Sequence, residues 1–369
     1  MRSRLHLLPV IALGWLTAAC GESEPEEGAQ PTPGFDQAAV DELRSLGVDR
    51  YFDRFEPSAV TDLGEGHFGV EFAVDEEGPI CLRGAPYRFG IRERDSEDLL
   101  IFLQGGGACW SEFCAAQSAT SVLVPTHSVM DEQHERSVMP GYNVAHIAYC
   151  DGSVFTGDTQ MEDEEGVRYH RGLVNLSAAL DVVKERFPEP RRVVLAGTSA
   201  GGYGTILGTL LVRLKWPTTP LDVINDAGLG LTNPERPQTL ALMKEEWGFG
   251  SLVPPSCEAC REGQFTQVIG WALERDPTLR VGVFSAYEDE IVSGPFLSID
   301  PLDFKALLIS ETDKLHTAYP QRFKRFFVNG DHHTAVPRFY DHEVNGVPYT
   351  SWLRAMLSRD PSWVDTLAD

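Results

Sequence analysis

The chain has 369 residues, with 31 basic and 55 acidic side chains and a formal net charge of −24. A surface of that sign repels nucleic acid, which excludes a nucleic-acid partner, and it argues against an anionic polysaccharide as the natural polymer. The length suits one large α/β domain with insertions, since the chain shows no second linker, no repeat and no low-complexity segment.

Residues 1–19 read as an export signal. Arg2 and Arg4 give the charged start, Leu5 to Leu16 the apolar core, and Thr17-Ala18-Ala19 the small-residue exit before Cys20. Pro9 and Gly14 interrupt the apolar stretch, which is too short to span a bilayer comfortably. Small residues leading into a cysteine resemble a bacterial lipobox. Cys20 is therefore the expected lipid carrier and the expected membrane contact, in an exported lipoprotein of the bacterial cell envelope. Residues 20–35 are acidic and rich in Pro and Gly and read as a solvated tether. A single folded domain follows over 36–369.

Residues 36–55 have helical spacing, and short β-like stretches follow at 67–74 and 86–92. Leu99 to Leu103 is a continuous apolar run that ends in Gln104 and three glycines. Further strands are expected at 143–149, 192–197, 221–225, 279–286 and 325–328. Helices are expected at 173–187, from Tyr203 to Leu214, and at 236–247, 264–275 and 301–318. Strands alternating with helices give a mostly parallel sheet with helices on both faces. Reactive groups of such sheets collect at the carboxyl ends of strands, where every polar cluster of this chain falls.

Ser199 sits in Gly197-Thr198-Ser199-Ala200-Gly201, between an apolar strand and a helix-like run. A serine on that turn is held away from its own backbone, and the helix behind it offers free N–H groups to a developing negative charge. Such a serine is a candidate nucleophile and needs a base later in the chain. His332 and His333 directly follow the last strand. Adjacent loop residues point apart, so at most one reaches Ser199; His333 is favoured and His332 is the alternative. His316 is expected to be structural and His342 exposed. The acid that orients the imidazole is expected at Asp289, with Glu288 and Asp226 as alternatives, because each follows a strand end. Oxyanion donors are expected from Ala200 and from the Gly105-Gly106-Gly107 loop.

Seven cysteines are present. Setting Cys20 aside leaves Cys81, Cys109, Cys114, Cys150, Cys257 and Cys260, an even set that suggests disulfides in an oxidising compartment. Cys257-x-x-Cys260 has no second ligand pair at zinc spacing, so no metal is expected.

Three blocks resemble the pectin acetylesterase family, which includes the Notum carboxylesterases: Leu103-Gln104-Gly105-Gly106-Gly107-Ala108-Cys109-Trp110, Tyr149-Cys150-Asp151-Gly152-Ser153, and Gly197-Thr198-Ser199-Ala200-Gly201-Gly202-Tyr203-Gly204. The resemblance implies an α/β-hydrolase fold and a Ser-His-Asp triad without metal or organic cofactor. It puts the nucleophile on Ser199, the oxyanion donors near Gly106, Gly107 and Ala200, the acid on the Tyr287-Glu288-Asp289 turn and the base near His333. It also implies that Cys81 pairs with Cys150 and Cys109 with Cys114, with Cys257 taking Cys260. Two departures stand out. Ala108 occupies the place before the cysteine where plant members have an aromatic, and the acid turn reads Tyr-Glu-Asp.

The leading expectation is a serine carboxylesterase that removes acetyl or other short acyl groups from a carbohydrate or small ester. The alternatives are a longer-chain lipase or deacylase, with Leu229, Leu231, Leu240, Leu242, Met243, Trp247 and Phe249 covering the site, and a tethered binding protein on a hydrolase fold.

Overall fold

Every residue of the run Asp98–Leu103 is buried, as a strand covered on both faces requires. The computed structural model describes residues 32–262 and 264–369, and the compact body begins at Thr32. The signal, Cys20 and the tether as far as Pro31 lie outside the described residues. Phe35, assigned to the tether by its composition, packs edge-on against Trp271 with ring centres 5.4 Å apart.

The chain opens with helix α1 (Gln37–Ser45), capped by the Asp36 carboxylate, which accepts from Ala39 N–H at 2.8 Å. The helix is shorter than its spacing predicts. Gly47 takes a left-handed φ of +69°, and turns replace the helix beyond it. Strands β1 (Ala59–Gly64), β2 (His67–Glu71), β3 (Arg88–Arg92) and β4 (Asp98–Leu103) follow. A hairpin of β5 (Gly107–Trp110) and β6 (Phe113–Ala116) leaves the end of β4. Next come β7 (Asn143–Ile147), a hairpin of β8 (Thr159–Asp163) and β9 (Gly166–His170), and α2 (Gly172–Arg186). Then β10 (Arg192–Thr198) runs into α3 (Ala200–Lys215), followed by β11 (Leu221–Asp226) and α4 (Pro237–Trp247). The last third holds α5 (Gln267–Arg275), β12 (Arg280–Ala286), a π-helical turn over Val292–Phe296, α6 (Pro301–Ala318) and β13 (Phe323–Val328). It closes with the small hairpin β14 (Glu343–Val344) and β15 (Val347–Pro348), α7 (Tyr349–Ser358) and β16 (Thr366–Leu367).

Among the described residues ten strands form one sheet in the order β1-β2-β3-β7-β4-β10-β11-β12-β13-β16. Pairing is antiparallel from β1 to the β3–β7 contact and parallel from β7 to β16. Alternation along the strands divides the core in two. Leu99, Ile101 and Leu103 face one cluster with α2, α3, α5 and α6, whereas Leu100 and Phe102 face the other with α7. The architecture is that of an α/β hydrolase, with the carboxyl ends of β4, β10, β11, β12 and β13 along one edge.

Candidate active site

Ser199 occupies the turn between β10 and α3 with φ +56° and ψ −121°, a conformation a non-glycine residue holds only under constraint. Two hydrogen bonds supply the constraint: Ser199 N–H donates to the Asp226 carbonyl at 2.8 Å, and Tyr203 N–H donates to the Ser199 carbonyl at 3.1 Å. The helix can approach β4 this closely only because residue 201 is glycine. A Cβ there would stand 1.9 Å from the Leu103 carbonyl oxygen.

His333 lies in the loop after β13 with its Nε2 2.7 Å from the Ser199 hydroxyl. Its Nδ1 faces both oxygens of Asp289, at 2.8 and 3.0 Å. Asp289 is fully buried and is fixed from behind: its Oδ1 accepts from the N–H groups of Ile291 and Val292, at 3.0 and 2.9 Å. A hydroxyl, an imidazole and a carboxylate thus form a continuous hydrogen-bonded row, the arrangement in which an imidazole takes a proton from the hydroxyl while the carboxylate supports its cation.

The alternative residues lie elsewhere. The half-buried Glu288 donates its backbone N–H to the Gly330 carbonyl at 3.0 Å, and no hydrogen bond joins its carboxylate to either histidine. His332 stacks on His342 with ring centres 5.0 Å apart and planes 14° apart. The Nε2 atoms of both are buried without a partner. His342, expected to be exposed, is buried against Phe284 at 4.8 Å, and burial lowers its pKa to about 4. Its polar sequence surroundings misled because the chain folds back over the end of β12. No hydrogen bond or ion pair joins Asp226 to the His333 ring; its carboxylate binds the Thr198 hydroxyl and Ala335 N–H.

A recess of about 380 Å³ opens beside Ser199 and is lined by Gly107, Ala108, Ala200, His333 and apolar side chains that include Val154, Tyr203 and Phe296. Ala200 opens α3, so its N–H has no intrahelical acceptor. The loop before β5 is held in shape from several sides. Gly107 has φ +81°, and a Cβ there would collide with the Ala115 carbonyl at 1.8 Å. Tyr149 Oη donates to the Gly107 carbonyl at 2.9 Å, and Cys109 N–H donates to the Gly152 carbonyl at 2.8 Å. The Gly106 carbonyl accepts from Gln117 N–H at 2.8 Å. Of the expected donors, Gly107 and Ala200 line the recess.

The disulfides join Cys81 to Cys150, Cys109 to Cys114 and Cys257 to Cys260. The second links β5 to β6 directly and so braces the Gly107 loop. Among the described residues no cluster of three or more His, Cys, Asp or Glu is arranged to hold a metal ion, and no helix is long and apolar enough to cross a membrane.

A second recess, of about 560 Å³, shares Val154, Tyr203 and Phe296 with the first. Leu231, Leu240, Met243, Trp247 and Phe249 line it, so most of the apolar segment singled out in the sequence borders this second recess rather than the one that holds Ser199 and His333. Leu229 is buried core, and Leu242 packs at the core margin. The polar contacts that pin α4 here leave no signal in the sequence. Trp247 Nε1 donates to the Cys109 carbonyl at 2.8 Å, and Glu246 accepts from Ser111 N–H and pairs with Arg168.

Residues 70–247 match the sequence model of the pectinacetylesterase family. Over 147 residues the chain is 28% identical to pectin acetylesterase 4 of Arabidopsis thaliana, covering 36% of each chain. Over 245 residues it is 24% identical to palmitoleoyl-protein carboxylesterase notum1' of Xenopus laevis, covering 58% of this chain and 49% of that one. The mouse palmitoleoyl-protein carboxylesterase NOTUM is 25% identical over 237 residues, covering 55% and 46%. The chain thus spans about half the length, or less, of these curated relatives. Its glycine block, its Tyr-Cys-Asp-Gly block and its serine elbow all lie in the pectinacetylesterase segment, and by that segment the chain resembles the pectin acetylesterases and Notum carboxylesterases.

Proposed function

We propose that the chain is a serine carboxylic ester hydrolase that removes acetyl or other short acyl groups from a carbohydrate or a small ester. The row Ser199–His333–Asp289, with its 2.7 and 2.8 Å contacts, carries the reading. The Ser199 oxygen attacks the ester carbonyl while His333 Nε2 accepts its proton, and the Asp289 carboxylate supports the imidazolium. The carbonyl oxygen takes up the electron pair as an oxyanion and meets the N–H groups of Ala200 and Gly107. Collapse expels the alcohol, which receives the proton from His333 and leaves an acyl group on Ser199. Water, deprotonated by His333, then repeats the attack and frees the carboxylic acid.

A longer-chain deacylase is the second reading, and the shared wall of the two recesses favours it. A ladder of p-nitrophenyl esters from acetate to palmitate separates the two. Wild type and Ser199→Ala are compared on it, beside labelling by a fluorophosphonate. Loss of turnover and of label in Ser199→Ala supports the mechanism. Full turnover in Ser199→Ala overturns it, and an unlabelled, well-folded wild type would favour a non-catalytic binding protein. We also propose that Cys20 carries a lipid that holds the enzyme in a bacterial cell envelope. The wild type should then partition into detergent, and Cys20→Ser should stay in the aqueous phase.

A further inference from the structure

Asn225 and Asp226 end β11, and strand alternation turns them to opposite faces of the sheet. Asn225 faces α3. Its Nδ2 donates to the Gly202 and Gly228 carbonyls at 2.8 and 2.9 Å, and its Oδ1 accepts from Gly228 N–H at 3.0 Å. Asp226 faces the other way, toward the loop after β13. Its Oδ2 accepts from the Thr198 hydroxyl at 3.0 Å. Both carboxylate oxygens accept from Ala335 N–H, at 3.0 and 3.2 Å. Its backbone carbonyl meanwhile holds Ser199 N–H at 2.8 Å.

We propose that Asp226 is a positioning residue for the ester hydrolysis, a latch that fixes the loop bearing His333 against the turn bearing Ser199. The inference rests on the hydrolase reading above. Thr198 immediately precedes the nucleophile, and Ala335 lies two positions after the base. One carboxyl group therefore bridges the two segments whose separation sets the Ser199–His333 contact. Among the hydrogen bonds of the described residues, no other side chain joins Thr198 to the loop from His332 to Ala335. Asp226 is not the acid of the row, because Asp289 takes His333 Nδ1.

The chemistry at this position suits a placed acceptor rather than a space-filler. Burial raises the carboxyl pKa to about 7, against hydrogen bonds from Ala335 and Thr198 that lower it. His333 and Asp289 are the titratable groups that act on it most, and Tyr349 of α7 lies in its field. A group whose ionised form is disfavoured in the fold costs stability once the unfolded chain ionises. An apolar residue of similar size would fill the space without that cost.

The test compares Asp226→Ala, Asp226→Asn and Thr198→Val with wild type. It uses p-nitrophenyl acetate kinetics and active-site titration with a fluorophosphonate. Asn keeps an acceptor for Ala335 N–H and a partner for Thr198, whereas Ala keeps neither. Asp226→Ala should lower kcat per labelled site by about 10- to 100-fold with KM changed less than about threefold, the cost expected of a misplaced base. Asp226→Asn should recover most of that rate, and Thr198→Val should show a smaller loss of the same kind. A purely structural role would lower the number of labelled sites and leave the rate per site unchanged, which would overturn the proposal. Wild-type rate per site in Asp226→Ala would also overturn it. If Asp226→Ala fails to fold, an unchanged rate per site in Thr198→Val does the same. Failure of wild type itself to label or turn over would instead overturn the hydrolase reading.

Discussion

The Ser199 hydroxyl and Nε2 of His333 lie 2.7 Å apart across 134 positions of chain. Neither residue carries this contact alone. Ser199 is set by the β10–α3 turn, and His333 by a loop that Asp289 and Asp226 hold from two sides.

The two neighbouring acids of the Tyr287-Glu288-Asp289 turn should separate sharply on mutation. Asp289→Asn keeps the shape but removes the charge that supports the imidazolium, so kcat on p-nitrophenyl acetate should fall by about 10³- to 10⁴-fold. Glu288→Gln should stay within about threefold of wild type, since no hydrogen bond joins that side chain to His333. The reverse order would move the acid by one residue.

Chain-length preference should depend on the wall between the two recesses. Phe296 belongs to both linings and packs against Tyr203 with ring centres 5.0 Å apart. Phe296→Ala should connect the cavities and raise the kcat/KM ratio of octanoate to acetate esters by about tenfold, the scale of a few extra buried methylenes. An unchanged ratio across the ladder would mean that the second recess does not receive the acyl chain.

The disulfides should divide between stability and activity. Cys81–Cys150 closes a loop of sequence separation 69 and Cys109–Cys114 one of 5. Loop-closure entropy then assigns about 4 kcal/mol to the first and about 2 kcal/mol to the second. Cys81→Ser/Cys150→Ser should therefore lower the denaturation midpoint more. Cys109→Ser/Cys114→Ser should lower kcat more, because its bond braces the Gly107 loop. Denaturant titration of both double variants, paired with their kinetics, checks the split.

Acid stability should report on His146. It is buried with Nδ1 unpartnered, stacks on Phe102 at 6.0 Å, and burial lowers its pKa to about 4. The native imidazole thus stays neutral while the unfolded one protonates below pH 6.5. Its contribution is complete above 6.5 and is lost as pH falls toward 4, at about 1.4 kcal/mol per pH unit. His146→Phe should remove that dependence. Its stability relative to wild type should rise steadily from pH 6.5 to 4, as measured by urea unfolding at each pH. A difference that stays constant with pH would refute the assignment.

Some of this architecture is legible because the physics is local. A strand covered on both faces must be apolar throughout, so Leu99 to Leu103 and Val193 to Ala196 announce themselves, and the polar ends of such strands mark the site edge. The elbow is legible for the same reason, since Gly201 and Ser199 must satisfy one tight turn. Short elements leave no such pattern: β5, β6 and β16 have two to four residues each, too few to show a period. The pectinacetylesterase match ends at residue 247, before both Asp289 and His333.

The sequence by itself determined the strand–helix alternation, the serine turn and the set of polar residues available at the strand ends, because each depends on neighbours in the chain. Only the tertiary structure decided that His333 rather than His332 meets Ser199, that Asp289 meets His333, and that His342 is buried. Adjacent residues of a loop point apart, and which one turns inward depends on packing partners far away: Phe284 and His342 hold His332, and Asp226 holds the loop through Ala335.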